Sequence, residues 1–232
     1  MPERPSVPSA MPATPLRIAH RGMPRASREN TLPSFQLALE AGADGLELDV
    51  HATADGVVVI HHDEHLAGGP EIARLTMSEL RAYEAAPGIP IPTLAELCEL
   101  VAGRATLFVE LKGAGIERRV LEVLAQYTGE VAIHSFDHAM IQRTRRLDSE
   151  RRLGVLFEEA PLDVVGTMAT TGATDVWPQW RLVTPRLVAE VHDAGGRVIP
   201  WTVNDPARAQ QLAALGVDGL CGDDVRLFGN EG

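Results

Sequence analysis

The sequence has few cysteines and no long apolar run, and each absence excludes a class of protein. Cys98 and Cys221 are the only cysteines among 232 residues, and they lie far apart in unlike contexts. They provide neither a disulfide framework nor a CxxC metal motif, so we expect a reducing, cytoplasmic environment. No apolar run approaches the ~20 residues that a helix needs to span a bilayer. We therefore expect no integral membrane segment.

Positive charge is scarce as well. The chain has 21 Lys and Arg residues against 32 Asp and Glu residues, which gives a formal net charge of −11. The average field of such a protein repels polyanions, so we expect no nucleic-acid partner and no binding to an anionic membrane surface. A small anionic substrate is compatible with this charge if the fold concentrates cations locally.

The first fifteen residues, "MPERPSVPSAMPATP", contain five prolines and lack the apolar segment of a signal peptide. This composition predicts an extended, disordered Pro-rich leader over residues 1–15. Residues 16–232 have the length of one barrel domain. The apolar fraction of 45% is sufficient for a large core.

Strand-like and helix-like segments alternate regularly after the leader. The predicted strands are "RIAH", "GLELDV", "TLFVELK", "VAIHS", "RLGVLF", "TDVWP", "RVIPWTV" and "VDGLCG". Helical segments lie between them, although the segment after "LFEEA" fits a helix less well because Gly166 and several threonines interrupt it. Parallel strands need such crossovers, so the alternation predicts an α/β fold with a parallel sheet.

Eight parallel strands can close into a (β/α)8 TIM barrel, and a doubly wound open sheet is the structural alternative. The barrel is favoured because polar residues end many different strands, whereas an open sheet concentrates its site at one switch point. These residues are His20, Asp49, Lys112, Ser135, Trp177 and Trp201. After the second strand, "DG" at residues 55–56 predicts a hairpin turn. A short loop insertion is expected from there to about residue 92.

Two carboxylates of the second strand point to the same side, because Glu47 and Asp49 are two residues apart. Arginines or backbone amides could satisfy them, or a hard divalent cation could offset their repulsion. Glu110 adds a third acid from another strand, and Lys112 follows it on the same face. This oxygen-rich set favours one Mg²⁺ or Ca²⁺ ion, with Mn²⁺ as a further candidate, over zinc.

Two histidines frame these acids. His20 ends the first strand and precedes Arg21, while His62 follows the hairpin strand. Imidazole titrates near neutral pH, so one histidine can act as a base and the other as an acid. His134 also ends a strand, but we expect its neighbour Ser135, rather than the ring, to face the site.

These motifs resemble a known family. The segments "AHRG", "ENTLPSF", "GLELDV", "VVVIHHD", "FVELK", "SFDHAMI", "WTVND" and "GVDGL" follow the order seen in glycerophosphodiester phosphodiesterases. The resemblance extends from about Arg17 to Asp224. It implies a (β/α)8 barrel that hydrolyses glycerophosphodiesters to glycerol 3-phosphate and an alcohol with the help of a divalent metal.

The resemblance also implies roles for individual residues. Glu47, Asp49 and Glu110 would be the metal ligands, His20 and His62 the catalytic pair, Arg21 and Lys112 the phosphate contacts, and Trp201 a wall of the substrate pocket. Asn30, in the family's "ENT" motif, is interpreted as the cap of the first helix. The chain departs from the family in two places: "AGGPEIARLT" replaces an "RTT" run, and "GDDV" replaces the closing "TDRP".

We therefore predict metal-assisted hydrolysis of a small-molecule glycerophosphodiester, with two-histidine catalysis through a cyclic phosphate as the working mechanism. A lysophospholipase D or a phosphoinositide phospholipase C-like enzyme would need an apolar rim, whereas "HLAGGPEIARL" is small and mixed in character. A non-catalytic phospho-ligand-binding barrel is a third alternative, although every candidate acid, base and metal ligand is present. The sequence leaves the alcohol group, the physiological metal and the oligomeric state open.

Overall fold

A ring of parallel strands forms the centre of the protein. The structure, a computed structural model, describes residues 14–161 and 163–229. The strands of the ring are β1 (Leu16–His20), β2 (Gly45–Ala52), β6 (Thr106–Leu111), β7 (Val131–Ser135), β8 (Arg152–Phe157), β9 (Asp175–Pro178), β10 (Arg197–Val198) and β11 (Gly219–Gly222). The predicted leader lies outside the described residues, except for Thr14 and Pro15.

The order of the strands is that of a barrel. It runs β10-β9-β8-β7-β6-β2-β1-β11, and each neighbouring pair is parallel. Backbone hydrogen bonds join the two ends of this series, since Val203 N donates to Cys221 O at 2.8 Å and Cys221 N to Pro200 O at 3.1 Å. The eight-stranded TIM barrel is thus confirmed, and the open-sheet alternative is wrong.

Helices cover the outside of the barrel. They are α1 (Leu32–Glu40), α2 (Met77–Leu80), α3 (Leu94–Val101), α4 (Glu117–Leu124), α5 (His138–Leu147), α6 (Val164–Thr171), α7 (Pro185–Asp193) and α8 (Pro206–Ala214). Their inward faces bury Leu, Val and Ile side chains against the outer face of the strands. None of the helices in the described part of the chain combines the length and apolar character required to cross a membrane.

Two local expectations need correction. The segment after "LFEEA" does form a helix, α6, because Asp163 caps its start and Gly172 ends it in the left-handed conformation. Asn30 is not the cap of α1. The cap is Thr31, whose hydroxyl accepts from the backbone N–H of Ser34.

The predicted hairpin follows β2 directly. β3 (Val58–Ile60) pairs antiparallel with β2, and Val50 lies opposite Ile60. The insertion then forms a 3₁₀ turn (Ile72–Arg74), helix α2 and the short strands β4 (Glu84–Ala86) and β5 (Ile89–Pro90). Its apolar side chains form a separate small cluster, so this insertion has its own packing beside the barrel.

Candidate active site

The register of four adjacent strands brings polar side chains to the interior of the barrel. His20 of β1 lies opposite Glu47 of β2. Asp49 of β2 lies opposite Glu110 of β6, which in turn lies opposite His134 of β7. Residues in register on parallel strands point to the same side of a sheet. The cluster therefore forms at the carboxyl ends of the strands, where TIM barrels carry their active sites.

A cavity of about 300 Å³ opens at this end of the barrel. It is lined by His20, Arg21, Glu47, His62, Glu110, Lys112, His134, Phe136, Leu156, Glu158, Trp177, Trp201 and Cys221. Seven of the eight residues singled out from the sequence line it together. The exception is Asp49, whose carboxylate is fully buried behind the cavity wall.

Asp49 is held by cations and by an amide. Arg21 Nε lies 2.9 Å from its Oδ2, and Lys112 Nζ lies 3.5 Å from its Oδ1. Asn30 Nδ2 also donates to Oδ2 at 2.8 Å. Burial works to raise the pKa of Asp49, but Arg21 and Lys112 outweigh it and hold that pKa below its ordinary value. Asp49 is therefore ionised, and it fixes both cations beside the cavity.

Glu110 sits in the opposite electrostatic situation. Burial, followed by repulsion from Asp49, raises the pKa of Glu110 to about 8 although Lys112 Nζ lies 2.8 Å away. Glu47 is also buried, and its Oε2 accepts from the backbone N–H of Arg21 at 3.1 Å. Three ionised carboxylates would outnumber the two neighbouring cations, Arg21 and Lys112, and this excess favours the protonated form of Glu110.

His134 completes a set of metal-binding type. Ligand atoms of Glu47, Glu110 and His134 all lie within 4.8 Å of one another. The His134 ring stacks on Trp177 with centroids 4.4 Å apart. Its Nδ1 is buried and has no hydrogen-bond partner among the described residues.

The expectation that Ser135, rather than the His134 ring, faces the site is wrong. Ser135 Oγ donates to Leu111 O at 2.9 Å and lies away from the cavity. The stack of His134 on Trp177 requires Gly154 in the neighbouring strand, because a Cβ there would come within 3.0 Å of both side chains.

A divalent cation fits this arrangement. The two buried carboxylates Glu47 and Glu110 and the imidazole of His134, whose Nε2 lies 3.8 Å from Glu47 Oε1, provide oxygen and nitrogen donors at one point. A cation there would offset the repulsion that raises the pKa of Glu110. The donors and the charge both match the requirements of a metal site.

A carboxylate lies within hydrogen-bond distance of Nδ1 in each of the two candidate catalytic histidines. His20 Nδ1 lies 2.8 Å from Asp223 Oδ1, and His62 Nδ1 lies 2.8 Å from Asp63 Oδ1. Asn204 Nδ2 donates to Asp223 Oδ2 at 2.6 Å, while the Asp223 N–H donates to Asn204 Oδ1 at 3.0 Å. These contacts leave Nε2 of each ring as the atom available to a substrate.

Asp223 and Asn204 were not identified from the sequence. Asp223 is the first aspartate of "GDDV", the segment that replaces the family's "TDRP", and it is the aspartate that the two motifs share. The aspartate at the second position of "GDDV" could therefore have identified Asp223 from the sequence. Burial works to raise the pKa of Asp223, but the contacts from His20 and Asn204 lower it overall.

Comparisons with known proteins show the family of the chain. The model of the glycerophosphoryl diester phosphodiesterase family matches residues 20–227, which confirms the resemblance carried by the motifs. A glycerophosphodiester phosphodiesterase of Caldanaerobacter subterraneus is 31% identical, over 93% of this chain and 96% of the relative. A glycerophosphodiester phosphodiesterase of Bacillus altitudinis is 32% identical, over 89% of this chain and 93% of the relative.

Solved structures are similar over the same span. A putative glycerophosphoryl diester phosphodiesterase of Silicibacter pomeroyi has a TM-score of 0.86 at 30% identity, covering 93% of this chain and 92% of its own. An Oleispira antarctica phosphodiesterase in complex with the product sn-glycerol-3-phosphate has a TM-score of 0.85 at 27% identity. The match covers 91% of this chain and 94% of the Oleispira protein.

Proposed function

The chain belongs to the glycerophosphoryl diester phosphodiesterase family, and from that membership we propose that it hydrolyses glycerophosphodiesters to sn-glycerol 3-phosphate and an alcohol with a divalent metal ion. The observation that carries the proposal is the convergence of His20, His62 and the Glu47–Glu110 carboxylates on one cavity. The Oleispira relative with bound sn-glycerol-3-phosphate supports the same product.

The two histidines move the protons. In the first step, Nε2 of one ring takes a proton from the glycerol 2-hydroxyl as that oxygen attacks phosphorus. The other ring gives a proton to the alcohol that leaves. A cyclic glycerol phosphate results, and water opens it with the two proton transfers reversed. In the first step one ring gains a proton and the other loses one. The second step reverses both transfers, so both rings are back in their starting states after the two steps.

Arg21 and Lys112 neutralise the phosphoryl oxygens. A guanidinium has five N–H donors, and within the described residues only Nε and Nη1 of Arg21 are engaged, by Asp49 and Glu29. The remaining donors can bind a phosphate oxygen. Lys112 is buried to a similar degree and is held beside Glu110. Fixed cations in a site shielded from water stabilise developing charge effectively.

Glu47, Glu110 and Asp49 would hold the metal. A hard cation prefers carboxylate oxygens to imidazole, and Asp49 Oδ1 accepts no hydrogen bond within the described residues. His134 is the alternative third ligand, since it lies closer to the other two. When bound, such an ion polarises a phosphoryl oxygen and lowers the pKa of a hydroxyl that it contacts. Mg²⁺ or Ca²⁺ suits the all-carboxylate set best.

Release of sn-glycerol 3-phosphate from glycerophosphocholine tests the proposal, with Mg²⁺, Ca²⁺ and Mn²⁺ each added to metal-stripped protein. We expect activity only with metal, and a loss of about 10²-fold or more in both His20→Ala and His62→Ala. His192→Ala is the matched control, because that histidine pairs with Asp218 on the surface. Full turnover by either site variant, or by the stripped protein, would refute the mechanism. The cytoplasmic location rests on cysteine content alone and stays a prediction.

A further inference from the structure

Two arginines stack on one tryptophan outside the cavity, just after the carboxyl end of β9. The Cζ atoms of Arg181 and Arg208 lie 4.3 Å and 4.6 Å from the centroid of the Trp180 ring. Trp180 is half-buried and packs against the hydrophobic core, so its ring is a fixed platform for both guanidiniums. We call these three residues the Trp180 site. None of them lines the cavity of the candidate active site.

The two guanidiniums of this site lack a counter-charge. Neither Arg181 nor Arg208 forms an ion pair with a carboxylate within the described residues, although the chain has 32 acidic residues against 21 Lys and Arg residues. The acid nearest in sequence, Asp205, caps α8 instead, because its Oδ1 accepts from the backbone N–H of Ala207 at 3.1 Å. Both positive charges are therefore uncompensated in an otherwise acidic protein.

This arrangement is electrostatically unfavourable without an anion. The two Cζ atoms are no more than about 9 Å apart, because both lie within 4.6 Å of the same ring centroid, and like charges at that distance repel each other. Arg208 is also the third residue of α8, where the positive end of the helix dipole disfavours a cation. Stacking on Trp180 offsets part of this cost. A bound anion would remove the repulsion itself.

We propose that the Trp180 site binds a phosphate group, either as inorganic phosphate or as part of a phosphate monoester. The planar fork of a guanidinium matches two oxygens of a phosphate and donates a hydrogen bond to each. In such a pair the guanidinium carbon lies about 4 Å from phosphorus, so one tetrahedral anion can reach both arginines. A carboxylate has only two oxygens and would be used up by a single fork.

This phosphate is distinct from the one that reacts. Inside the cavity the phosphate contacts are Arg21 and Lys112, whereas the Trp180 site meets the cavity only from behind its wall. There the backbone N–H of Trp180 donates to Trp201 O at 2.8 Å, and Trp201 lines the cavity. An anion at the Trp180 site would thus be a second one beside the mouth. Its binding does not depend on the proposed hydrolysis.

Nitrogen-15 NMR of the full chain tests the inference, because the indole N–H of Trp180 and the Nε–H groups of both arginines report the site directly. Inorganic phosphate and sn-glycerol 3-phosphate are each titrated at pH 8, with sodium chloride keeping the ionic strength constant. We expect saturable shifts with a Kd below about 10 mM, the affinity of a few charge-assisted contacts. The indole of Trp177, which lines the cavity, reports the catalytic site separately.

The two titrations distinguish the sources of the phosphate. Equal Kd values for both compounds would identify the free anion as a sufficient ligand, and tighter binding of sn-glycerol 3-phosphate would identify a monoester. Either result supports a phosphate site. A Trp180 signal that shifts only linearly with added phosphate, as it would through general screening, would overturn the inference.

Variants locate the binding. Arg181→Gln and Arg208→Gln should each raise the Kd read at the Trp180 indole by about fivefold or more, because each removes one charged fork. Arg146→Gln is the matched control, since that exposed arginine of α5 lies in neither the Trp180 site nor the cavity. An unchanged Trp177 signal shows that each variant is folded. An unchanged Kd in both glutamine variants would overturn the inference while the proposed hydrolysis stands.

Discussion

Nδ1 of His20 lies 2.8 Å from Oδ1 of Asp223, and Asn204 holds Asp223 through two hydrogen bonds, since its Nδ2 donates to the carboxylate and its Oδ1 accepts from the Asp223 backbone N–H. An ionised carboxylate can only accept, so the proton of the neutral imidazole resides on Nδ1. Nε2 then faces the cavity as an acceptor, which is the tautomer that a general base requires. We therefore expect Asp223 to act as a positioning residue for His20.

Replacement of Asp223 by asparagine should reverse this tautomer. The new amide can donate to Nδ1, so the proton moves to Nε2 and the ring can no longer accept from the substrate. By analogy with the aspartate of a Ser-His-Asp triad, we expect kcat to fall by about 10²- to 10⁴-fold with little change in KM. Nitrogen-15 NMR of the His20 ring checks the tautomer directly.

Asp224→Asn is the matched control for that experiment. Asp224 is next in the chain, but its carboxylate binds Arg226 rather than a catalytic group. We expect wild-type turnover from this variant. If Asp223→Asn retains both the kcat and the ring tautomer of the wild type, Asp223 has no positioning role.

The two histidines lie at different depths, which predicts which of them is the acid. The side chain of His20 is 18% exposed and that of His62 is 36% exposed. The alcohol leaves toward the cavity mouth, so His62 should protonate it while His20 deprotonates the glycerol hydroxyl. A p-nitrophenyl ester of glycerol phosphate tests this assignment, because its leaving group needs no proton.

On this ester, His62→Ala should recover most of the wild-type rate, while His20→Ala should remain impaired by about 10²-fold or more. On glycerophosphocholine, both variants should be impaired. Rescue of His20→Ala instead would reverse the two roles. An equal loss for both variants on the nitrophenyl ester would contradict the division into one acid and one base.

The sequence was sufficient to identify site residues that lie in strongly patterned strands, namely His20, Glu47 and Glu110. In a TIM barrel the carboxyl ends of all strands form one face, so these residues could be expected to lie together. Asp223 and Asn204 could not be paired in this way. Their contact depends on the closure of the barrel between the last two strands, which no local pattern reveals.

His134 and Asn30 were misplaced for more local reasons. Alternation along a strand fixes which residues share a side, but the end of β7 alone does not reveal which side faces inward. The register with Glu110 decides it. Asn30 and Thr31 are both common helix caps, so composition could not distinguish the cap from the residue before it.

The third metal ligand can be determined by binding rather than by turnover. We expect Glu110→Gln and Asp49→Asn each to weaken Mg²⁺ binding by about tenfold or more, because each removes a negative oxygen from the cluster. His134→Gln should change Mg²⁺ affinity by less than about threefold. Isothermal titration calorimetry on metal-stripped protein measures all three variants. A loss with His134→Gln as large as with Glu110→Gln would place the imidazole in the coordination sphere instead.

The two thiols should react slowly in the folded protein. Burial, with a smaller effect from Glu99, raises the pKa of Cys98 to about 11, and burial raises the pKa of Cys221 well above its usual value. At pH 8 we expect Cys98 to react with an aromatic disulfide reagent about 100-fold more slowly than in urea. Since the unfolded thiols ionise first, the free energy of unfolding should fall as pH rises above about 9. In the Cys98→Ser variant, only Cys221 reacts with the reagent, so its rate can be measured separately. Equal reaction rates of the thiols with and without urea would contradict the prediction.

Asn30 joins an unusual backbone conformation to the charge cluster. Its φ is 56°, in the left-handed region that asparagine tolerates better than other side chains with a Cβ. Its Nδ2 donates to Asp49, and its Oδ1 accepts from the Asp49 N–H at 3.4 Å. Asn30→Ala loses both contacts and strains the backbone, so we expect it to lower the free energy of unfolding by about 2–4 kcal/mol.

Glycine at the same position separates the two effects. Asn30→Gly also loses the contacts to Asp49, but glycine adopts the left-handed conformation without strain. In urea denaturation it should therefore be about 1 kcal/mol more stable than Asn30→Ala. Both variants should lose turnover to the same extent, because Asp49 and the Arg21 that it holds are freed equally in each. Equal stability of the two variants would show that the backbone conformation at residue 30 costs nothing, and wild-type turnover by either would show that Asp49 needs no amide to hold Arg21 in place.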